Sequence, residues 1–347
     1  MIDKDLYDKI GQMIVLGFRG YSIEEAPDIK WLLRHGKLGG VILFDYDVAS
    51  SAPRRNIESP SQLAQLTQSI KEISQVPPFI AIDEEGGQVS RLKSKAGFTE
   101  FSSHKALGDS GSPEKTYREA TRMAYQLKEA GINLNFAPCV DLAINADNPI
   151  INQKGRSFSD DPDTVVKHGQ RFIQAHNEHN ILTSLKHFPG HGSAAGDTHL
   201  GMVDVTRDWQ EKELYPFQML IDQGLARIVM VSHIFNRNMD SLYPASLSKN
   251  IVKNVLRRQM GYTGLVISDD LQMRAITQHY GFEESIGLAI NAGVDILLLG
   301  NNLQYDHELP SRTLKAFKNL LNSGVITEER IDESYKRIMQ NKNWLRE

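Results

Sequence analysis

The sequence is poor in the features that would place it outside ordinary soluble enzymes. Cys139 is the one cysteine among 347 residues, which excludes an intramolecular disulfide and a multi-cysteine metal site. Lys and Arg number 39 against 43 Asp and Glu, for a formal net charge of -4, so no broad basic surface for nucleic acid is expected. No apolar run approaches the roughly 20 residues that cross a bilayer.

No targeting signal is expected at the start of the chain. Residues 1–5 include three charged side chains and no apolar signal-peptide core. We therefore expect a cytoplasmic protein that binds neither nucleic acid nor membrane, and we predict that it is a monomer.

Eight short apolar runs, rich in β-branched residues, recur along the chain. Each is nearly continuous in apolar character, as expected for strands that are buried on both faces. They lie at 13–18, 40–44, 79–83, 134–140, 182–187, 227–233, 265–269 and 295–300.

Most gaps between these runs hold a segment of helical period. Ser112 is predicted as the N-cap of one helix and Thr327 as the N-cap of another. The helical segments are 63–73, 113–130, 164–179, 209–222, 249–260, 286–292 and 311–322, with a last helix after Thr327. This alternation predicts an α/β fold: a single-domain (β/α)8 TIM barrel over residues 1–347 with C-terminal helices. A doubly wound open sheet is the alternative, but residues 17–20 match its Gly-rich phosphate loop poorly.

Polar residues follow the predicted strands where a TIM barrel carries its active site. They are Asp83, Asp141, Lys186, His187, His233, Asp269 and Asp270. So many ionisable strand ends indicate a site for a polar small molecule, such as a sugar. From position alone, Asp269 could equally cap the next helix, and Arg91 and Arg156 could be surface residues.

The segment 186–199 contains His187, His191, Asp197 and His199. The spacing allows a divalent metal site. It also allows a mobile loop that carries an Asp–His pair, or a solvated loop with incidental histidines. Glycines at 190, 192 and 196 favour the mobile loop.

Together these motifs resemble family 3 glycoside hydrolases, and within them the β-N-acetylglucosaminidase branch typified by the bacterial peptidoglycan-recycling enzyme. Residues 186–199 read KHFPGHG, SAAG and DTH, which matches the whole hallmark of that branch. The resemblance continues through 81–92, 135–142, 155–162, 231–235 and 264–273.

The resemblance implies a role for each matching residue. Asp269 is the expected nucleophile, and His199, paired with Asp197, is the expected acid/base. The terminal sugar is expected to contact Asp83, Arg91, Arg156, Lys186 and His187, in a pocket that Lys186, Arg91 and Arg156 make cationic. The implied activity is retaining exo-removal of terminal GlcNAc from peptidoglycan fragments or chitooligosaccharides, without metal or cofactor. Longer members of the family carry an added α/β domain, which this chain is expected to be too short to hold.

Other interpretations stay open beside this one. A metal-dependent hydrolase and a non-catalytic sugar-binding barrel are the alternatives, and phosphorolysis is not excluded. The enlarged segment after the second strand, near residues 45–56, is either a solvated loop or part of the leaving-group site, where Arg54 or Arg55 would meet an acidic group. We expect His191 to hold its loop together.

Overall fold

The computed structural model describes residues 4–53 and 55–346. Its strands are β1 (Ile14–Gly17), β2 (Gly40–Ile42), β3 (Phe79–Ile82), β4 (Leu134–Asn135), β5 (Leu182–Phe188), β6 (Ile228–Val231), β7 (Leu265–Ser268) and β8 (Leu297–Leu299). All pairings are parallel, each strand lies beside its successor, and β1 also pairs with β8. A parallel bridge from Ile267 to Ile296 joins β7 to the start of β8. The sheet therefore closes into the predicted barrel, and the doubly wound alternative is wrong.

Helices surround this barrel. Their bounds are α1 (Lys4–Gln12), α2 (Pro27–Arg34), α3 (Pro60–Ile73), α4 (His104–Asp109), α5 (Pro113–Glu129), α6 (Pro162–Asn177), α7 (Tyr215–Asp222), α8 (Arg274–Thr277), α9 (Phe282–Ala292), α10 (Leu309–Asn322) and α11 (Glu328–Trp344). Between β6 and β7 the chain forms a π-helix, Asn250–Gln259.

The local signals for helix ends are confirmed. The side chains of Ser112 and Thr327 accept hydrogen bonds from backbone N–H groups at the starts of α5 and α11. Gly293 ends α9 with φ of 116°, a left-handed conformation that glycine adopts without steric cost. Two predicted helices differ: 209–222 divides into a 3-10 turn, Glu211–Leu214, and α7, and 249–260 is the π-helix.

The main hydrophobic core extends from Leu6 to Ile338. The C-terminal helices complete the outer layer, since α10 packs on α9 and α11 packs on α1. Arg330 of α11 fixes this arrangement by donating to the carbonyls of Ile290 and Val294. Across 4–53 and 55–346, no helix is both long and apolar enough to span a membrane.

Candidate active site

The carboxyl ends of the strands surround a cavity of about 390 Å³. Seven of the eight site residues expected from the sequence line it: Asp83, Arg91, Arg156, Lys186, His187, His199 and Asp269. The eighth, Asp197, is hydrogen-bonded to His199. Segments more than 180 residues apart in the chain are therefore brought to one cavity.

Asp83 and Lys186 form an ion pair on one side of the cavity. The Nζ of Lys186 lies 2.8 Å from Oδ1 of Asp83, and Nη2 of Arg91 lies 3.4 Å from Oδ2. Burial opposes ionisation of Asp83, but the fields of Lys186 and Arg91 outweigh it and lower the pKa of that carboxyl. The carboxylate is thus held ionised, as an acceptor for hydroxyl groups.

Glu85 is a buried counter-charge that the sequence interpretation did not assign. Arg156 binds its carboxylate with two hydrogen bonds, of 2.9 Å and 2.7 Å, and Lys186 approaches it to 2.6 Å. The expectation of a cationic pocket is therefore wrong, because the cations Lys186, Arg91 and Arg156 are matched by three carboxylates, those of Asp83, Glu85 and Asp269. The run of acidic residues at 83–85 could have indicated this neutralisation, since buried cations require charged partners.

His187 is held by Asp141, which follows β4. Oδ2 of Asp141 lies 2.6 Å from Nδ1 of His187, and Nη2 of Arg156 lies 3.1 Å from Nε2. A guanidinium only donates, so Nε2 accepts and Nδ1 carries the proton that is donated to Asp141. Burial would raise the pKa of Asp141, but His187 and His191 lower it to about 2.

Asp269 follows β7 and reaches the cavity as a nearly free carboxylate. Its Oδ1 accepts a 2.8 Å hydrogen bond from the N–H of Asp270, and among the described residues its Oδ2 accepts none. Burial raises the pKa of Asp269, but His233, His187 and His199 outweigh this effect and lower it. A carboxylate that is ionised yet weakly hydrogen-bonded keeps its lone pairs for an electrophile.

Asp270 carries the structural function that was the alternative for Asp269. Its Oδ1 accepts from the N–H groups of Gln272 and Gly300. Burial raises its pKa to about 6. His233 fixes the same turn: its Nε2 donates to the carbonyl of Asp270 at 2.9 Å, and its Nδ1 lies 2.7 Å from the Ser246 hydroxyl. Asp269 is therefore not needed to stabilise this turn or to cap the next helix.

Asp197 and His199 form the expected pair. Nδ1 of His199 lies 2.7 Å from Oδ1 of Asp197, which also accepts the backbone N–H of His199. The side chain of His199 is 47% exposed. Its partial desolvation lowers the pKa of His199, but the bond to Asp197 and the field of Asp269 outweigh this effect and raise that pKa above 6.5. Burial likewise opposes ionisation of Asp197, whose pKa falls to about 2 because of His199. With Nδ1–H directed to Asp197, Nε2 is left for proton transfer.

The glycines of the segment 186–199 have a packing function that the mobile-loop interpretation missed. A Cβ on Gly192 would lie 1.8 Å from the carbonyl oxygen of Leu142, and one on Gly190 would lie 2.6 Å from Cβ of Glu213. The first half of the loop, residues 186–192, therefore packs closely against Leu142 and Glu213. His191 contributes through its backbone, which donates to Asp141 and accepts from Asn148, while its buried ring nitrogens have no partner in the described part of the chain.

Glu213 anchors the same loop from outside the cavity. Its Oε2 accepts the N–H groups of Gly192 and Ser193 at 3.0 Å and 3.3 Å. The side chain is buried, and burial raises its pKa to about 7. The base of the loop that presents Asp197 and His199 is thus fixed by a carboxyl that titrates near neutral pH.

Replacing Glu213 with glutamine should change how stability depends on pH. Because the folded-state pKa is raised from 4.5 to about 7, between these values the folded wild type binds a proton that the unfolded chain has lost. Glu213 therefore makes stability fall as the pH rises through this window, by at most about 1.4 kcal/mol per pH unit. Urea unfolding at several pH values should show that this contribution is absent in Glu213→Gln. The exposed neighbour Glu211→Gln is the control, and equal slopes in all three proteins would contradict this account.

The loop after β2 is fixed around Asp47. This buried carboxylate binds Arg19 at 2.7 Å and Arg55 at 2.6 Å, and Arg55 also donates to the carbonyl of Asn301. The suggestion that Arg55 meets an acidic group of the substrate is therefore wrong, because its side chain is fully buried in this network. Arg54 lies outside the described residues.

The potential metal ligands of the segment 186–199 do not converge. Among residues 4–53 and 55–346, one group of three such side chains lies close enough to share an ion: Cys139, Asp141 and His187. Asp141 and His187 are already joined by a hydrogen bond, and Cys139 donates to Asp141. His191, Asp197 and His199 are not part of that group.

Fold and cavity define a (β/α)8 barrel with its polar site at the carboxyl ends of the strands. The chain belongs to glycosyl hydrolase family 3, whose N-terminal domain description matches residues 5–341. It is 30% identical to Beta-hexosaminidase A of Pseudoalteromonas piscicida, over 97% of this chain and 60% of that protein. It is 35% identical to a Beta-hexosaminidase of Tolumonas auensis, over 78% of each chain.

A solved structure gives the same relationship. The family 3 beta-N-acetylglucosaminidase from Paenibacillus sp. str. FPU-7 superimposes with a TM-score of 0.89 at 33% identity, over 98% of this chain and 62% of that one. The chain thus spans about three fifths of the length of the Pseudoalteromonas and Paenibacillus proteins.

Proposed function

We propose that this chain is a retaining exo-β-N-acetylglucosaminidase that removes terminal non-reducing GlcNAc from peptidoglycan fragments or chitooligosaccharides. The names of its relatives support GlcNAc as the sugar that is removed, since two relatives are called beta-hexosaminidases and a third is called a beta-N-acetylglucosaminidase. The observation that carries the proposal is the combination, in one cavity, of the weakly hydrogen-bonded carboxylate of Asp269 with the Asp197–His199 pair.

In the first step an oxygen of Asp269 attacks the anomeric carbon of the terminal sugar. The bond from that carbon to the leaving oxygen breaks, and Nε2 of His199 gives this oxygen a proton. Asp197 stabilises the imidazolium before the transfer and keeps the ring oriented. The raised pKa of His199 increases its protonated fraction near neutral pH.

In the second step water replaces Asp269 at the anomeric carbon. Nε2 of His199, now neutral, removes a proton from this water, the ester to Asp269 breaks, and the sugar leaves with its original configuration. One group therefore serves as the acid in the first step and as the base in the second. The Asp197–His199 pair supplies this group, so the reaction needs no second carboxyl as acid/base.

Asp83, Arg91, Arg156, Lys186 and His187 hold the terminal sugar in this proposal. Asp83 accepts hydrogen bonds from its hydroxyls, and Lys186 and Arg156 donate to them. Glu85 and Asp141 act through these residues by fixing Arg156 and His187. The number of anchoring groups favours a single enclosed sugar, and thus exo action.

Product analysis with chitobiose and with GlcNAc-anhydromuramic acid tests this function. We expect GlcNAc to be released as the β-anomer at first, at rates that EDTA does not change. Release of the α-anomer, or cleavage of long polymer without monosaccharide, would refute the mechanism. Loss of activity with EDTA would favour a metal enzyme, GlcNAc 1-phosphate formed in phosphate buffer would indicate a phosphorylase, and binding without turnover would indicate a sugar-binding protein.

A further inference from the structure

The mouth of the catalytic cavity carries two exposed apolar side chains from the loop after β2. Tyr46 is 42% exposed and Val48 is 45% exposed, and both line the cavity. Exposed apolar surface that is continuous with an active-site cavity is a candidate surface for a ligand.

Hydrogen bonds and ion pairs hold residues 46–48 of this loop in place, with Tyr46 and Val48 exposed. The side-chain carbonyl of Asn302 accepts the N–H of Val48 at 3.0 Å, and its amide donates to the carbonyl of Tyr46 at 3.1 Å. Between them, Asp47 is buried against Arg19 and Arg55. The guanidinium of Arg19 in turn lies 3.7 Å from the centre of the Tyr305 ring. Such support on both sides is what a preorganised binding surface requires.

A second hollow, of about 270 Å³, is also lined by Tyr46. It shares Asp45, Tyr46 and Arg91 with the catalytic cavity, so the two form one groove that passes the tyrosine ring. A substrate whose terminal sugar fills the catalytic cavity would extend along this groove.

The charges along the second hollow nearly balance. Of the described residues that line it, Arg91, Lys93 and Lys95 are cationic and Asp45 and Glu58 are anionic, and Arg91 is paired with Asp83 beside the hollow. Among the described residues, this groove has no excess charge once Arg91 is paired with Asp83, and an aromatic ring lies at its entrance. Such a groove suits an uncharged saccharide, since the ring offers apolar surface to one face of a pyranose.

We propose that Tyr46 forms the leaving-group subsite and stacks on an uncharged pyranose ring, with the second hollow holding the next sugar of a longer chain. This inference rests on the proposed function and specifies its substrate as a neutral amino-sugar oligosaccharide. Val48 forms the edge of the same subsite.

The test compares substrates that differ in the leaving group: chitobiose, whose leaving group is a neutral pyranose, GlcNAc β-fluoride, which has no leaving-group ring, and GlcNAc-anhydromuramic acid, which carries a carboxylate. Tyr46→Ala should lower kcat/KM for chitobiose about tenfold, as expected for one lost aromatic contact, and leave the fluoride unchanged. Tyr46→Phe should keep the wild-type values. Tyr125→Ala is the control, because Tyr125 is also an exposed aromatic residue, 57% exposed, but lies on α5.

Unchanged chitobiose kinetics in Tyr46→Ala, or an equal loss with the fluoride, would overturn the subsite. A wild type that prefers the carboxylate-bearing disaccharide over chitobiose would overturn its neutral character. Titration of chitobiose into Asp269→Ala protein, with and without Tyr46→Ala, tests the subsite without turnover, and Kd should rise about tenfold. A wild type that hydrolyses neither chitobiose nor the fluoride would instead refute the proposed function.

Discussion

Replacing Asp269 with alanine is expected to lower kcat by at least about 10⁴-fold while the protein stays folded. This carboxylate lines the cavity, is ionised and accepts one hydrogen bond among the described residues, and alanine leaves no oxygen at this position to attack the anomeric carbon. The fold should tolerate the change, because Asp270 and His233 carry the structural hydrogen bonds of this turn. Steady-state kinetics with chitobiose, together with thermal unfolding, measures both effects.

Chemical rescue distinguishes a lost nucleophile from a damaged site. Azide should restore turnover of an activated aryl glycoside by Asp269→Ala and give the α-glycosyl azide, since a small anion can enter the space that the carboxylate leaves. The exposed Asp208→Ala is the control and should behave as wild type. Full activity of Asp269→Ala, or rescue that gives a β-linked product, would contradict the assignment.

Replacing His199 with alanine should slow substrates according to their leaving groups. A sugar leaving group needs a proton as the bond breaks, so kcat/KM for chitobiose should fall about 10²–10⁴-fold, the usual contribution of general acid catalysis. A 2,4-dinitrophenyl glycoside leaves without that proton, so its kcat/KM should fall far less. The exposed His307→Ala is the control, and equal losses with both substrates would exclude His199 as the acid.

The pH dependence of chitobiose hydrolysis tests whether Asp197 acts through His199. The basic limb of kcat/KM should reflect His199, whose pKa is raised above 6.5 by Asp197. Asp197→Ala removes the hydrogen bond and the negative charge, so the basic limb should move to lower pH. A basic limb that does not move would show that Asp197 does not act through His199.

The strands were predictable because the barrel buries both of their faces. A run such as Leu265–Ser268 is buried along its whole length, and this produces a continuous apolar signal that needs no knowledge of distant partners. The positions of the polar residues at the strand ends were predictable for a related reason. Asp83 and Asp269 come directly after β3 and β7, and the carboxyl ends of all parallel strands meet at one edge.

The charge partners were not predictable, because they depend on contacts between distant segments. Glu85 binds Arg156 across 71 positions, and Arg55 reaches Asn301 across 246. Without these contacts, the sequence predicts that Lys186, Arg91 and Arg156 make the pocket cationic. It also allows Arg55 to meet substrate. The glycines of the loop were likewise interpreted from their flexibility, whereas Gly192 is required by its close approach to Leu142. The cytoplasmic location and the monomeric state stay predictions from the sequence.

Trapping the glycosyl-enzyme tests the central claim most directly. A fluorinated GlcNAc fluoride that forms the covalent intermediate quickly and releases it slowly should add one sugar to the protein. Peptide mapping by mass spectrometry should then place this sugar on Asp269, and Asp269→Ala should stay unlabelled. A sugar attached to any other residue, or turnover that gives the α-anomer with no adduct at any time, would contradict a retaining mechanism through Asp269.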